Sequence, residues 1–503
     1  MNISLNSLRQ SYWFAPSITV LILAAIIFGV PLFMDIKPIY LWTDRLIFIL
    51  VAGIIYLAAY IRRKPHLRTP WSYVFQSRRA LISIVILSIY ALLGLLDSIH
   101  YQKPLSSDNN ETHYSVELFS SLDVVLGHLH ERVEKTYSAP FASNLFAKET
   151  LADAEGKQYR DYPRLEYGGR HLDKPDEQLM SDIASKSLEG LANGLVTSII
   201  IVLLVLLMIK TTRQKSMFLA WQGLRHSRSF YSLRIVLMTA VVLILMASTI
   251  WELSFYYHVF GTDKVGQDVL YLSIKSIRTG LVIGTLTTLV MLPFAILLGI
   301  MAGYFRGWVD DVIQYLYTTL SSIPGVLLIA AAILSIQVYM ANHPELFESA
   351  RDQADLRLLA LCVVLGITGW TGLCRLLRGE VLKLREMDYI QAATAFGVGH
   401  FTIIGRHLLP NVLHIILIMV VLDFSGLVLA EAVLSYVQVG VDPSTISWGN
   451  MINGARLELA REPMVWWSLI AAFVFMFTMV LAANLFADAV RDAFDPRLNR
   501  STT

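Results

Sequence analysis

Long apolar runs alternate along this chain with short polar connectors, and most runs are too long to be strands. A helix needs about 20 mostly apolar residues to cross about 30 Å of hydrocarbon. Ten runs meet that condition, at about 14–34, 44–61, 80–98, 193–209, 235–255, 279–300, 315–339, 356–377, 412–436 and 465–487. The first has too long an apolar core for a secretory h-region and no small-x-small cleavage site after it, so it reads as an uncleaved span. The pattern predicts an all-α polytopic membrane protein of about ten transmembrane helices.

Composition agrees. Of 503 residues, 55% are hydrophobic and 16% charged, with a mean hydropathy of +0.55, whereas soluble domains carry about 25% charged residues. Cys362 and Cys374 both fall in or beside one apolar stretch, which excludes a disulfide framework and leaves them a packing role.

Charge gives the orientation. The loop from Arg62 to Arg79 holds Arg62, Arg63, Lys64, Arg68, Arg78 and Arg79 without an acid. The loop from Lys210 to Arg234 repeats this with Lys210, Arg213, Lys215, Arg225, Arg228 and Arg234. The positive-inside rule puts both loops in the cytoplasm. An even number of spans then puts both termini there, in agreement with Arg491, Arg497 and Arg500. Residues 99–190 fall outside, with sixteen acidic and ten basic residues. They include an expected amphipathic helix from about Val116 to Val133 and a loop-like stretch through Tyr162 and Gly169. His128 and His130, two apart, would point to different faces of that helix, which argues against a metal site. Asn110-Glu111-Thr112 matches the short glycosylation acceptor pattern.

The most informative polar stretch joins the eighth and ninth spans. Tyr389 to Phe396 is helix-competent, Gly397 and Gly399 allow a sharp turn, and a second short helix is expected with Phe401, Ile404 and Leu408 on one side. Pro410 suits the first turn of the next span. The product is a helix-turn-helix elbow on the inner membrane surface, kept slim by Ala392 and Ala393.

At these residues the chain resembles the permease subunits of ATP-binding-cassette importers, whose coupling loop runs Glu-Ala-Ala, three residues, Gly, nine residues, Ile-x-Leu-Pro. Ala392, Ala393, Gly397, Leu409 and Pro410 match, while Gln391 stands for Glu and His407 for Ile. The ending Arg406-His407-x-Leu409-Pro410-Asn411 resembles the peptide-importer branch. Phe260-Gly261-Thr262-Asp263 with Gly266, Gln267 and Asp268 resembles an outer-face stretch of its C-type subunit, with Gln267 for the usual Arg. Gly303-Tyr304-Phe305-x-Gly307-x-x-Asp310, Ala430-Glu431-Ala432, Ser447-Trp448-Gly449 and Asp495-Pro496-Arg497 also fit. The resemblance covers about 215–499 and six spans.

The resemblance implies the six-helix permease domain at 215–499, followed by a tail at 500–503; the residues before it match nothing in that family and divide, by spans and charge, into extra helices at 1–98, a periplasmic insertion at 99–190 and an extra helix and link at 191–214. The resemblance also implies that a second permease subunit completes the pathway. Two cytoplasmic ATPases, which carry ATP and Mg, would dock on the coupling loops, and a periplasmic or lipid-anchored binding protein would deliver peptide. Asp388, Tyr389, Gln391 and the residues through Pro410 would be the coupling elbow. No cofactor and no nucleic-acid partner is implied. No Gly-x4-Gly-Lys-Ser/Thr pattern occurs in the chain, so it is expected to be no enzyme.

Asp423 and Glu431 fall within the ninth span, where a lipid-facing charge costs about 2.5–3.5 kcal/mol. They are expected to line the pathway or bond between helices. Trp448, Trp466 and Trp467 suggest an outer aromatic belt. Other cargoes, such as nickel chelates or antimicrobial or modified peptides, and a stand-alone secondary transporter are the competing readings.

Overall fold

The computed structural model describes residues 16–21, 37–105, 113–115, 117–152, 158–213, 231–347 and 349–494. Most of the first expected span, most of the second basic loop, Asn110 and the tail with Arg497 and Arg500 lie outside the described residues.

Among the described residues, nine helices are long and apolar enough to cross a membrane. The first two are α1 (Trp42–Arg63) and, after the short α2 (Pro65–Val74), α3 (Arg78–Asp97). Residues beyond α3 form small antiparallel sheets. In one of them β1 (Lys37–Ile39) pairs with β2 (His100–Gln102), which pairs with a strand at Phe119–Ser120. The amphipathic helix expected at 116–133 is not formed. The chain enters that strand and then makes two short helices, α4 (Ser121–Val125) and α5 (Gly127–His130). The break has a local cause: Ser120 and Asp123 form a reciprocal capping box, which starts a helix afresh at Ser121.

The fourth expected span begins earlier than its apolar core, as α6 (Pro175–Arg213), so residue 190 lies inside a helix. It packs along α7 (Tyr231–Ser254). Gly190 and Gly194, four apart, allow the approach: a Cβ on Gly190 would lie 2.8 Å from the Thr249 backbone, and one on Gly194 would lie 2.1 Å from the Ser248 hydroxyl.

At the centre stands α8 (Val269–Phe305), 37 residues long. At 1.5 Å per residue it measures about 55 Å, well beyond the hydrocarbon core. Asp268 caps it, accepting from the N–H groups of Leu270 (2.8 Å) and Tyr271 (3.3 Å). The seventh expected span is broken at Ile323-Pro324 into α9 (Gly307–Ser322) and α10 (Gly325–Asn342), because a residue before proline is driven out of the helical region. Then come α11 (Ala350–Gly369), α12 (Thr371–Arg385), the elbow, α13 (Leu409–Tyr436), α14 (Trp448–Glu458) and α15 (Trp467–Phe494). The extra helix α3 packs against both α8 and α15, with Gly94 against Leu281.

The long helices fix two ends of the molecule. Residue 269 begins α8 beside Trp467, whose indole N–H donates to the Thr262 carbonyl at 2.9 Å. At the other end α8 reaches the elbow and α15 reaches the linker around α2, where Val74 and Ala80 pack with Ala489 and Val490. The acid-free stretch 62–79 and the elbow therefore share one end, and the 100–174 segment caps the other.

Candidate functional site: the elbow and the opposite seam

The elbow begins with the helix Asp388–Ala395. It closes with Gly397 at φ +73, the Gly397 N–H donating to Thr394 O (3.0 Å) and the Val398 N–H to Ala393 O (3.1 Å). This is the Schellman closure, which needs a left-handed residue and so favours glycine. Gly399 then caps the helix His400–Ile403, which runs through a wide π turn at Ile404–Leu408 into α13.

The π turn corrects the expected apolar face. An inserted residue rotates every later side chain about the axis, so the buried ones are Ile403, Leu408, Val412 and Ile416, spaced by five and then fours. Phe401 falls on the other side, 90% exposed, and Phe396 is 87% exposed. Ile390, Ile403 and Leu408 anchor the elbow in one apolar cluster with Tyr304, Leu377 and Val381. Asp388, Tyr389, Gln391, Ala392, Gly397, Arg406 and Pro410 are exposed, while Ala393, His407 and Leu409 are half-buried. The Gln391 amide donates to the Glu386 carbonyl at 3.2 Å. Asn411 bridges the Tyr389 hydroxyl (3.1 Å) and the His407 carbonyl (2.6 Å).

Sequence reasoning missed the partners that hold this elbow. The Gly303–Asp310 stretch lies beside it, with the Tyr304 hydroxyl 2.8 Å from His400 Nδ1 and Arg385 donating to the Tyr304 carbonyl at 2.6 Å. Arg378 grips Asp310 with two bonds of 2.6 and 2.7 Å. These pairs are remote in sequence, and only the family-like Gly-Tyr-Phe pattern pointed to one side of them.

At the opposite end, Gly261, Thr262, Asp263, Gly266 and Asp268 form a tight loop against which the 100–174 segment is seated. A Cβ on Gly266 would lie 1.7 Å from the Glu134 carbonyl, and one on Gly261 would lie 2.4 Å from that of Ser138. The Thr262 hydroxyl donates to the Thr136 carbonyl at 2.8 Å. His258 stands between Asp268 (2.7 Å) and Glu134 (3.3 Å), all three buried. Burial alone would lower the His258 pKa, but bonds to Asp268 and Glu134 outweigh it and raise it to about 9. Glu134, despite burial, is held down to about 2 by His258 and by the N–H groups of Glu166, Tyr167 and Gly168.

A second buried network joins α8 to the preceding segments. Lys275 pairs with Asp97 (2.9 Å) and Asp123 (2.8 Å), and Arg278 pairs with Asp44 (2.6 Å) beside Asp355. None of these residues was singled out in the sequence.

Glu431 is buried and accepts from Ser435 at 2.8 Å, facing Ser447 and Gly449 at the start of α14, where the helix dipole favours a carboxylate. It bonds between helices. Asp423 is half-buried and has no hydrogen-bond or ionic partner among the described residues. The aromatic belt is corrected for two of its three members. Trp448 and Trp467 are buried, their indoles donating to backbone carbonyls of Ser273 (3.0 Å) and Thr262 (2.9 Å), while Trp466 remains exposed. Trp467 packs with Tyr137 and Phe146, and Trp448 with Ile277 and Val428.

A helical bundle with one pinned, solvent-facing elbow and a capped opposite end defines a polytopic membrane protein. The model of the binding-protein-dependent transport system inner membrane component matches residues 295–500. A glutathione transport system permease protein of Pectobacterium atrosepticum is 31% identical over 48% of this chain and 73% of its own length. Dipeptide transport system permease proteins of Lactococcus lactis and Bacillus subtilis are 30% and 29% identical over 48% of this chain, and 64% and 70% of their lengths. The chain belongs to the family of binding-protein-dependent transport inner-membrane components, and it is a multi-pass inner-membrane protein.

Proposed function

We propose that this chain is one permease subunit of an ATP-binding-cassette importer for short peptides, and that the elbow at 388–410 couples it to a separate ATPase. The peptide class is supported by relatives named for dipeptides, oligopeptides and glutathione. In this reading a second permease completes the pathway, two cytoplasmic ATPases supply ATP and Mg, and a binding protein delivers cargo from outside. Both termini and the elbow are cytoplasmic. This assignment is supported by the basic 62–79 stretch lying at the elbow's end of the molecule.

The observation that carries the reading is the elbow itself. Its inner face is fastened to the bundle by Ile390, Ile403 and Leu408, while Phe396 and Phe401 are left bare on either side of the turn. Bare aromatics on a rigid, slim segment suit insertion into a partner's groove, where such side chains carry most of the binding energy. Movement of the docked ATPases would then tilt packed helices, which switch between arrangements more readily than they stretch.

The test is uptake of a labelled dipeptide by proteoliposomes holding the neighbouring ATPases, second permease and binding protein. Uptake should require ATP and fall with Phe401→Ala, while the variant still inserts. Uptake that persists without the ATPases would favour a stand-alone transporter and overturn the proposal.

A further inference from the structure

Between the loop at 263–267 and the stretch at 443–461, on the end opposite the elbow, lies a recess of about 730 Å³. Its walls include Tyr137 from the 100–174 segment, Asp263 and Lys264 from the family-like loop, Asn450 and Glu458 from α14, and Arg461 just beyond it. The size suits a small organic ligand, for which sites of about 300–1,000 Å³ are usual.

Glu458 is the anomalous group. The residue is 8% exposed; Oε1 accepts from the Tyr137 hydroxyl at 3.1 Å, and Oε2 is buried without a partner. Leaving a buried acceptor unpaired costs about 1–3 kcal/mol, more if it is charged. Neighbouring Asp263 does not share the deficit, since its Oδ1 accepts from the N–H groups of Val265 (2.9 Å) and Gln267 (2.8 Å). Burial, with the nearby Asp263 carboxylate, raises the Glu458 pKa, outweighing the Tyr137 hydrogen bond and the Arg461 and Lys264 charges, which pull it down.

The missing donor is not met by a metal cluster, because no group of three or more metal-ligating side chains occurs among the described residues. The rim supplies the opposite charge: Lys264 and Arg461 are exposed, and Arg461 lies 4.9 Å from the Tyr137 ring centre. The recess therefore has one donor-starved carboxylate within and two cations at the mouth.

We propose that this recess binds a short zwitterionic peptide, with its ammonium group on Glu458 and its carboxylate end at Lys264 and Arg461. This rests on the peptide-importer reading and adds to it a cargo contact built by this chain and completed by Tyr137. An ammonium group donates up to three hydrogen bonds, and Oε2 lacks a partner for one. A primary amine without a carboxylate would share the inner contact but not the rim.

The test is ligand-observed saturation-transfer NMR on the full chain in nanodiscs, with alanylalanine, its N-acetyl form, its C-terminal amide and ethylammonium. Alanylalanine should bind, and N-acetylation should weaken binding at least about tenfold. The amide and ethylammonium should keep the Glu458 contact but lose the rim, each binding about threefold or more below alanylalanine.

Glu458→Gln, which has the shape of the protonated acid, should reduce alanylalanine binding about tenfold with little change in Tm. If Glu458 is merely a structural neutral acid, that variant will bind as the parent does, and the proposal fails. Arg461→Gln, on the exposed rim, gives a second reading that does not endanger folding: it should weaken alanylalanine but leave the amide unchanged. Equal binding of the acetylated peptide, or none of alanylalanine, would overturn the site. If ATP-driven uptake nevertheless survived, only the recess would be lost and not the importer.

Discussion

Two glycines with left-handed backbones do different work. Gly397, at φ +73, has nothing near the position of a Cβ, so Gly397→Ala meets only backbone strain of about 1–3 kcal/mol. Gly266, at φ +81, faces the Glu134 carbonyl at a Cβ distance of 1.7 Å, so any side chain must lift the 100–174 segment. Limited proteolysis should therefore find that segment more readily cut in Gly266→Ala and unchanged in Gly397→Ala. Equal cutting in both would show that the seam is not held as described.

The His258 cluster has a pH signature. A raised imidazolium pKa contributes stability that is complete below its ordinary value near 6.5 and fades as pH rises through about 9. The lowered Glu134 value works on the other side, losing its contribution as pH falls from about 4.5 toward 2. Proteolysis of the segment should thus increase from pH 6 to pH 10, and His258→Asn should flatten that rise.

Among the elements, the elbow was the most legible because its information is local. The Ala-Ala-x3-Gly spacing and the Schellman closure at Gly397 need only neighbouring residues, and both are in place. The apolar face was misjudged because a π turn changes phase by one residue, and sequence periodicity assumes a constant 3.6.

The role of α8 was not legible at all. Lys275 and Arg278 lie just ahead of the apolar run at 279–300, and their partners Asp97, Asp123 and Asp44 come from far along the chain. Lys275→Met removes the cation and leaves Asp97 and Asp123 buried without it, which should cost about 3–5 kcal/mol. A thermal unfolding scan should show a large fall in Tm. An unchanged Tm would mean that water already satisfies those carboxylates.

On the scale of the whole molecule, the additional helices are built into the bundle and are not appended to it. Gly94 of α3 meets Leu281 of α8, Gly190 and Gly194 press α6 onto α7, and β1 joins the sheet that seats the 100–174 segment. Composition and run length disclosed the all-α class and the nine spans found among the described residues; the seam between early and late segments arises from contacts more than a hundred residues apart, which no local pattern encodes. Expression of residues 215–503 alone should leave little protein in the membrane fraction, because the Lys275 and Arg278 partners and the α3 face would be missing.

The central claim is that the elbow faces the cytoplasm and receives an ATPase. Phe401→Cys tests it directly, since the native Cys362 and Cys374 are both buried and give little background. A membrane-impermeant maleimide should label Cys at position 401 in inverted vesicles only, and added ATPase subunits should protect it. Labelling from the outer side, or labelling unaffected by the ATPase, would contradict the account.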